Sequence, residues 1–122
     1  MDAPKIGQVW ADMDRRAAGR LLLIVGTVPS VGVPVLYVRA EVVANARQAL
    51  VDRVGDLTMV KAERLVPGPR GYRLLGDIWK LGRGANAHWS ARTAGEAVDA
   101  TRKGGMTRAD AIAWLVEQEA SK

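Results

Sequence analysis

The chain has 122 residues, 48% apolar, 25% charged and 5% aromatic, enough for one compact globular domain with a short appendage. It contains no cysteine and one histidine, His88, which excludes disulfides, a thiol nucleophile, iron–sulfur clusters, thiolate zinc sites and any two-histidine metal site within one chain. Eighteen Lys and Arg against 13 Asp and Glu give a net charge of +5, a bias toward polyanionic partners such as nucleic acid.

In chain order, Ile6 to Ala11 reads as a first short strand, with Ile6, Gln8 and Trp10 alternating against Gly7, Val9 and Ala11. A polar loop follows over residues 12–19, and Arg20 to Val28 is a second strand, apolar enough to be covered on both faces. Leu21 to Val38 carries no charge and is long enough to raise a membrane span, but Gly26, Pro29, Gly32 and Pro34 break any helix there. Two strands joined by a turn fit better. The third strand, Val33 to Val43, puts Leu36, Val38, Ala40 and Val42 on a core face and Val35, Tyr37, Arg39 and Glu41 on the other.

Residues 44–54 fit a helix and a hairpin arm equally well. Leu57 to Ala62 is a strand, Glu63 to Leu65 a single turn, and residues 66–71 a tight connection into a last strand, Tyr72 to Leu75. Five short strands in this space predict a small barrel over residues 1–76. Residues 77–92, with Gly82-Arg83-Gly84 inside them, read as an irregular connector. Two helices are then expected over residues 93–122. The first is capped by Thr93 with Glu96 three residues on, and stops at Gly104-Gly105. The second is capped by Thr107, has Asp110 at its positive end, and repeats Ala109, Ile112, Ala113 and Val116. The fold class predicted is therefore mainly β with C-terminal α, a helical hairpin packed on the barrel or on a partner. No apolar run precedes Arg15, so no secretory leader is expected, and a cytoplasmic location follows, host cytoplasm if the chain is phage-encoded.

Gly7-Gln8-Val9-Trp10-Ala11-Asp12, Asp14-Arg15-Arg16-Ala17-Ala18-Gly19-Arg20, Arg64-Leu65-Val66-Pro67 and Gly71-Tyr72-Arg73-Leu74 together resemble the pattern of a group of small actinobacterial and actinophage proteins of mostly unassigned function. The resemblance spans residues 7 to 75 and implies an SH3-like barrel of the KOW or Tudor kind, with no catalytic residue. Residues 44–55 depart from that pattern. The opening is also similar, more distantly, to MazF-type toxin endoribonucleases. That similarity would make Arg20 a catalytic arginine and Thr58 its partner, although Leu21 stands where those proteins carry a proline.

The candidate nucleic-acid contacts are Arg15, Arg16, Arg20, Arg64 and Arg73, which would cluster on a barrel rim; the plainer alternative is a solvated face with Arg20 paired to Asp12 or Asp14. Trp10, Tyr37 and Tyr72 are possible base-stacking platforms, but in a chain without phenylalanine Trp10 is better read as a core anchor. Trp79, His88 and Trp89 would pin the connector. Asp12 and Asp14 are too few ligands for a metal, so no metal and no cofactor is assigned. Ile112, Trp114, Leu115 and Val116 form a wide apolar arc, the candidate surface for a host protein or a homodimer. The second helix has few groups able to read a DNA groove, Arg108 and Gln118 against Asp110, Glu117 and Glu119. The expected function is a non-enzymatic, phage-type accessory protein that binds nucleic acid through its barrel; the alternatives are a protein-interaction module and a MazF-like endoribonuclease.

Overall fold

The computed structural model describes residues 5–13, 20–28, 37–44, 54–65, 72–94 and 101–120. Among these residues are seven strands, β1 (Gln8–Asp12), β2 (Leu21–Val28), β3 (Tyr37–Ala44), β4 (Leu57–Lys61), β5 (Tyr72–Leu81), β6 (His88–Thr93) and β7 (Arg102–Met106), and one α-helix, α1 (Arg108–Ala120). The strand order is β4-β3-β2-β1-β5-β6-β7. Every pairing with a described register is antiparallel. Among the described residues the sheet is open, with β4 and β7 as its edges, so the expected closed barrel is replaced by an open sheet. The chain divides into two compact units, Met1–Leu74 and Leu75–Lys122.

The first unit follows the alternation in its sequence. On β3, Val38, Ala40 and Val42 are fully buried while Arg39 is exposed, because successive side chains point to opposite faces. On β2 all of Leu21, Leu22, Leu23 and Ile24 are buried, as a strand covered on both faces requires. Leu22 and Ile24, on one face of β2, pack with Val38, Ala40 and Val42 and with Trp10, Val60, Leu65 and Tyr72 in one core. Each large aliphatic side chain so buried contributes roughly 1.5–3 kcal/mol. A 3-10 turn, Ala62–Arg64, follows β4 where the sequence predicts a single turn. Residues 14–19, 29–36, 45–53 and 66–71, including the ambiguous segment after Ala44, lie outside the described residues.

The second unit departs from expectation. Residues 77–92 are not an irregular connector: β5 runs on to Leu81 and pairs with β6 from Gly76↔Thr93 to Leu81↔His88. Gly82 and Gly84, both at positive φ, shape the hairpin between them. Nor do the described residues form the helical hairpin: β7 is a strand where the first helix is expected to end. Thr93 ends β6; its Oγ1 accepts a hydrogen bond from the Thr101 amide at 2.8 Å, and its own amide donates to Thr101 O at 2.9 Å. Glu96, Ala97 and Val98 lie outside the described residues. Gly104-Gly105 is a strand feature rather than a helix stop. Gly105 has φ 71° at a register shift between β6 and β7, the place where a bulge needs a left-handed residue. Pairing to β6 thus overrides the local helical spacing.

The second predicted helix forms as α1, and its cap is as expected: the Asp110 amide donates to Thr107 Oγ1 at 3.1 Å. Its inward face is rotated from the expected stripe. Ala111, Ile112, Trp114 and Leu115 are buried, whereas Ala109, Ala113 and Val116 are exposed. The larger side chains Trp114 and Leu115 set the orientation, because their burial removes more apolar surface from water. α1 packs on β6 and β7. Among the described residues no helix is long and apolar enough to cross a membrane, and Leu21 to Val28 is a strand.

Candidate nucleic-acid interface

Asp12 ends β1 and Arg20 immediately precedes β2, and the antiparallel pairing of these strands brings them together, with the Asp12 amide donating to Arg20 O at 3.0 Å. The Arg20 guanidinium donates to Asp12 Oδ2 from Nε at 3.2 Å and from Nη2 at 2.8 Å. Nη2 also donates to the Tyr72 hydroxyl at 3.3 Å. The Asp12 side chain is 7% exposed and that of Arg20 is 16% exposed. A pair this deep depends on mutual neutralisation, since either charge alone would lack its solvation. Burial, reinforced by the negative charge of Asp12, pushes the Tyr72 hydroxyl above its ordinary pKa of 10.0, while the charges of Arg20 and Arg64 pull against that rise. Arg64 therefore shares the electrostatic neighbourhood of this corner without entering it, and is exposed on the 3-10 turn.

The five candidate arginines consequently separate. Arg20 is committed to Asp12 and Tyr72; Arg64 and Arg73 are exposed; Arg15 and Arg16, like Asp14, lie outside the described residues. The exposed, described charges of the first unit are Lys5, Arg39, Lys61, Arg64 and Arg73 against Asp56 and Glu63, a basic surplus that the Asp12–Arg20 pair leaves untouched. Trp10 and Tyr72 are core side chains rather than open stacking faces. Trp10 Nε1 donates to Gln8 Oε1 at 3.1 Å, which satisfies the one polar atom of its ring. Thr58 faces Ala40 on β3, whereas Leu21, next to Arg20, faces Ala44. Four residues of strand, roughly 13 Å, thus separate Thr58 from Arg20 along the sheet, and the structure does not bring them together.

In the second unit Ile112, Trp114 and Leu115 are buried in the packing of α1, and of the expected docking arc Val116 alone is exposed, at 41%. His88 is exposed on β6. Among the described residues no group of three or more His, Cys, Asp or Glu converges as a metal site. Sequence reasoning passes over Arg92 and Arg102, which it places in a connector and a helix. Once β6 and β7 are strands, the two stand directly opposite each other. The signal available is the β-prone pair Ile78-Trp79 directly after the predicted strand Tyr72 to Leu75, which extends β5 and brings β6 beside it. No family model, curated protein or solved structure matches the chain.

Proposed function

We propose that the protein is a non-enzymatic, phage-type accessory protein that binds nucleic acid through the basic surface of its first unit. The observation that carries this reading is the surplus of five exposed basic side chains over two acidic ones in that unit, with Asp12 and Arg20 cancelling each other in the interior. The order β4-β3-β2-β1-β5, with a 3-10 turn between β4 and β5, is consistent with an opened SH3-like meander, and small β folds of that kind commonly present a charged surface to polyanions. Arg64 and Arg73 are the contacts assigned within the described residues. Arg20 positions the β1–β2 corner and contributes no free charge.

Fluorescence anisotropy with labelled duplex DNA, single-stranded DNA and RNA across a salt series tests the proposal. Replacing Arg64 and Arg73 together by Ala should flatten the slope of log affinity against log salt by about 1.8 on duplex DNA, two phosphate contacts' worth. An unchanged slope would remove the assignment. One observation favours a second reading, self-association or docking of a protein: Leu57 and Met59, 61% and 58% exposed, lie on the edge strand β4, which has a free side for pairing among the described residues. A monomer mass independent of concentration, with no partner captured, would count against it.

A further inference from the structure

On the three strands β5, β6 and β7, side chains alternate between the face that α1 covers and the face turned away from it. Ala91, fully buried, and Gly76, whose added Cβ would meet Leu115 Cδ2, mark the helix side. The opposite face carries the cross-strand row Asp77–Arg92–Arg102 and, beside it, a row made of the pair Trp79–Ser90 with Gly104 next to Ser90 at the irregular part of the β6–β7 ladder. The second row steps down from an indole through a hydroxyl to bare backbone. A Cβ at Gly104 would come within 3.1 Å of Ser90 Oγ, which places the two on the same face and shows how little room a side chain would have there.

Two features of this face are unfavourable as they stand. Arg92 and Arg102 are like charges directly opposite one another, an arrangement that costs stability, and neither makes an ion pair or side-chain hydrogen bond among the described residues. Ser90 is 8% exposed, and its hydroxyl likewise has no hydrogen-bond partner among the described residues. An anion between the two guanidinium groups relieves the first, and a polar atom on the ligand relieves the second. Asp77 faces Arg92 from β5 and tempers the local charge, leaving Arg102 as the outer and more exposed of the two cations. Trp79 is the diagonal neighbour of Arg92 on this face, a spacing of roughly 7–8 Å that long side chains bridge.

We infer that this face is a binding site for single-stranded nucleic acid: Arg92 and Arg102 hold a phosphate, Trp79 stacks an unpaired base, and Ser90 hydrogen-bonds the strand where it crosses Gly104. Guanidinium groups beside an aromatic ring are the combination that tracks a backbone while accepting any base. Duplex DNA, whose bases are already stacked, gains nothing from Trp79. The site is argued from the second unit's residues alone and is independent of the first unit's basic surface.

The test is anisotropy of a labelled oligothymidylate of about eight nucleotides, within the usual site size of a single-strand binding fold. With the full chain, Arg92→Gln with Arg102→Gln should flatten the salt slope by about 1.4, the value for two single-strand phosphates. Trp79→Ala should weaken binding about tenfold at an unchanged slope. Trp79→Phe should keep most of the affinity, a rescue that separates stacking from a merely structural loss. If Trp79→Ala fails to fold, the arginine pair and Trp79→Phe still decide the matter. An unchanged slope in the arginine variant overturns the site. So does an equal loss of duplex and single strand in the Trp79 variants, or free thymidylate competing as well per nucleotide as the oligomer. Running Arg64→Ala with Arg73→Ala alongside separates the two surfaces: loss confined to that variant overturns the inference and leaves the first-unit reading in place.

Discussion

The two units hold their strands in opposite ways. In the first, large side chains fill the space between elements, with Trp10, Leu22, Ile24 and Tyr72 in one core and a buried ion pair at its corner. In the second, where α1 buries Ile112, Trp114 and Leu115, the closest approaches are made where side chains are missing: at Gly76, where an added Cβ would collide with the Arg92 carbonyl oxygen and lie 2.7 Å from Leu115 Cδ2, and at Gly104 beside Ser90. The first unit should therefore be sensitive to groups taken away, and the second to groups added. Close packing makes both kinds of change costly, by different routes.

The largest effect expected is from Asp12→Ala, which leaves the Arg20 guanidinium in a largely buried position with the Tyr72 hydroxyl as its remaining side-chain partner of the two. Stranding one member of a buried pair costs about 3–5 kcal/mol, and urea denaturation should show a loss of that size. A loss under about 1 kcal/mol would mean that the pair behaves as a surface pair, and the contrast between units would lose its first half. Next comes Gly76→Ala in the second unit, expected to cost about 3 kcal/mol because the obstacle includes backbone. Gly26→Ala in β2 is its control: the nearest atom to the new methyl group is Arg39 Cβ at 3.9 Å, an ordinary contact, so stability should stay within about 1 kcal/mol. Equal costs at Gly26 and Gly76 would show that close approach is not what distinguishes the second unit.

That contrast also explains what could be read from the residues alone. The fully buried face of β3, Val38, Ala40 and Val42, the extent of β2 and the turn after β4 follow from alternation and from turn chemistry, both local signals. The Asp12–Arg20 pair was visible as an alternative to a basic rim, but only strand pairing shows that Arg20 chooses it. In the second unit the decisive residues are glycines and a threonine, which have several local uses. Gly104-Gly105 after a helical spacing reads as a helix stop, and Thr93 three residues before Glu96 reads as a cap. Their actual roles, a bulge on β7 and a latch to Thr101, depend on β6 lying alongside. Arg92 and Arg102 become neighbours by the same pairing, which is why sequence spacing alone does not join them.

The smallest effect sharpens the picture of the first unit's corner. Tyr72→Phe keeps the buried ring and removes one hydrogen bond from Arg20, so at neutral pH it should cost about 1 kcal/mol. At alkaline pH the sign of the difference changes its trend. Well below pH 10.0 the hydroxyl is protonated in both folded and unfolded chains and contributes no pH dependence. Above it the unfolded chain ionises first, while burial and Asp12 keep the folded hydroxyl protonated, so stability falls as pH rises toward the raised folded value. The phenylalanine variant lacks that loss, and its deficit against wild type should shrink as pH climbs beyond 10.0. A deficit that stays constant through this range would place the Tyr72 hydroxyl in water, in contact with neither Asp12's field nor the apolar core, and the corner would then be a surface feature rather than the interior anchor of the first unit.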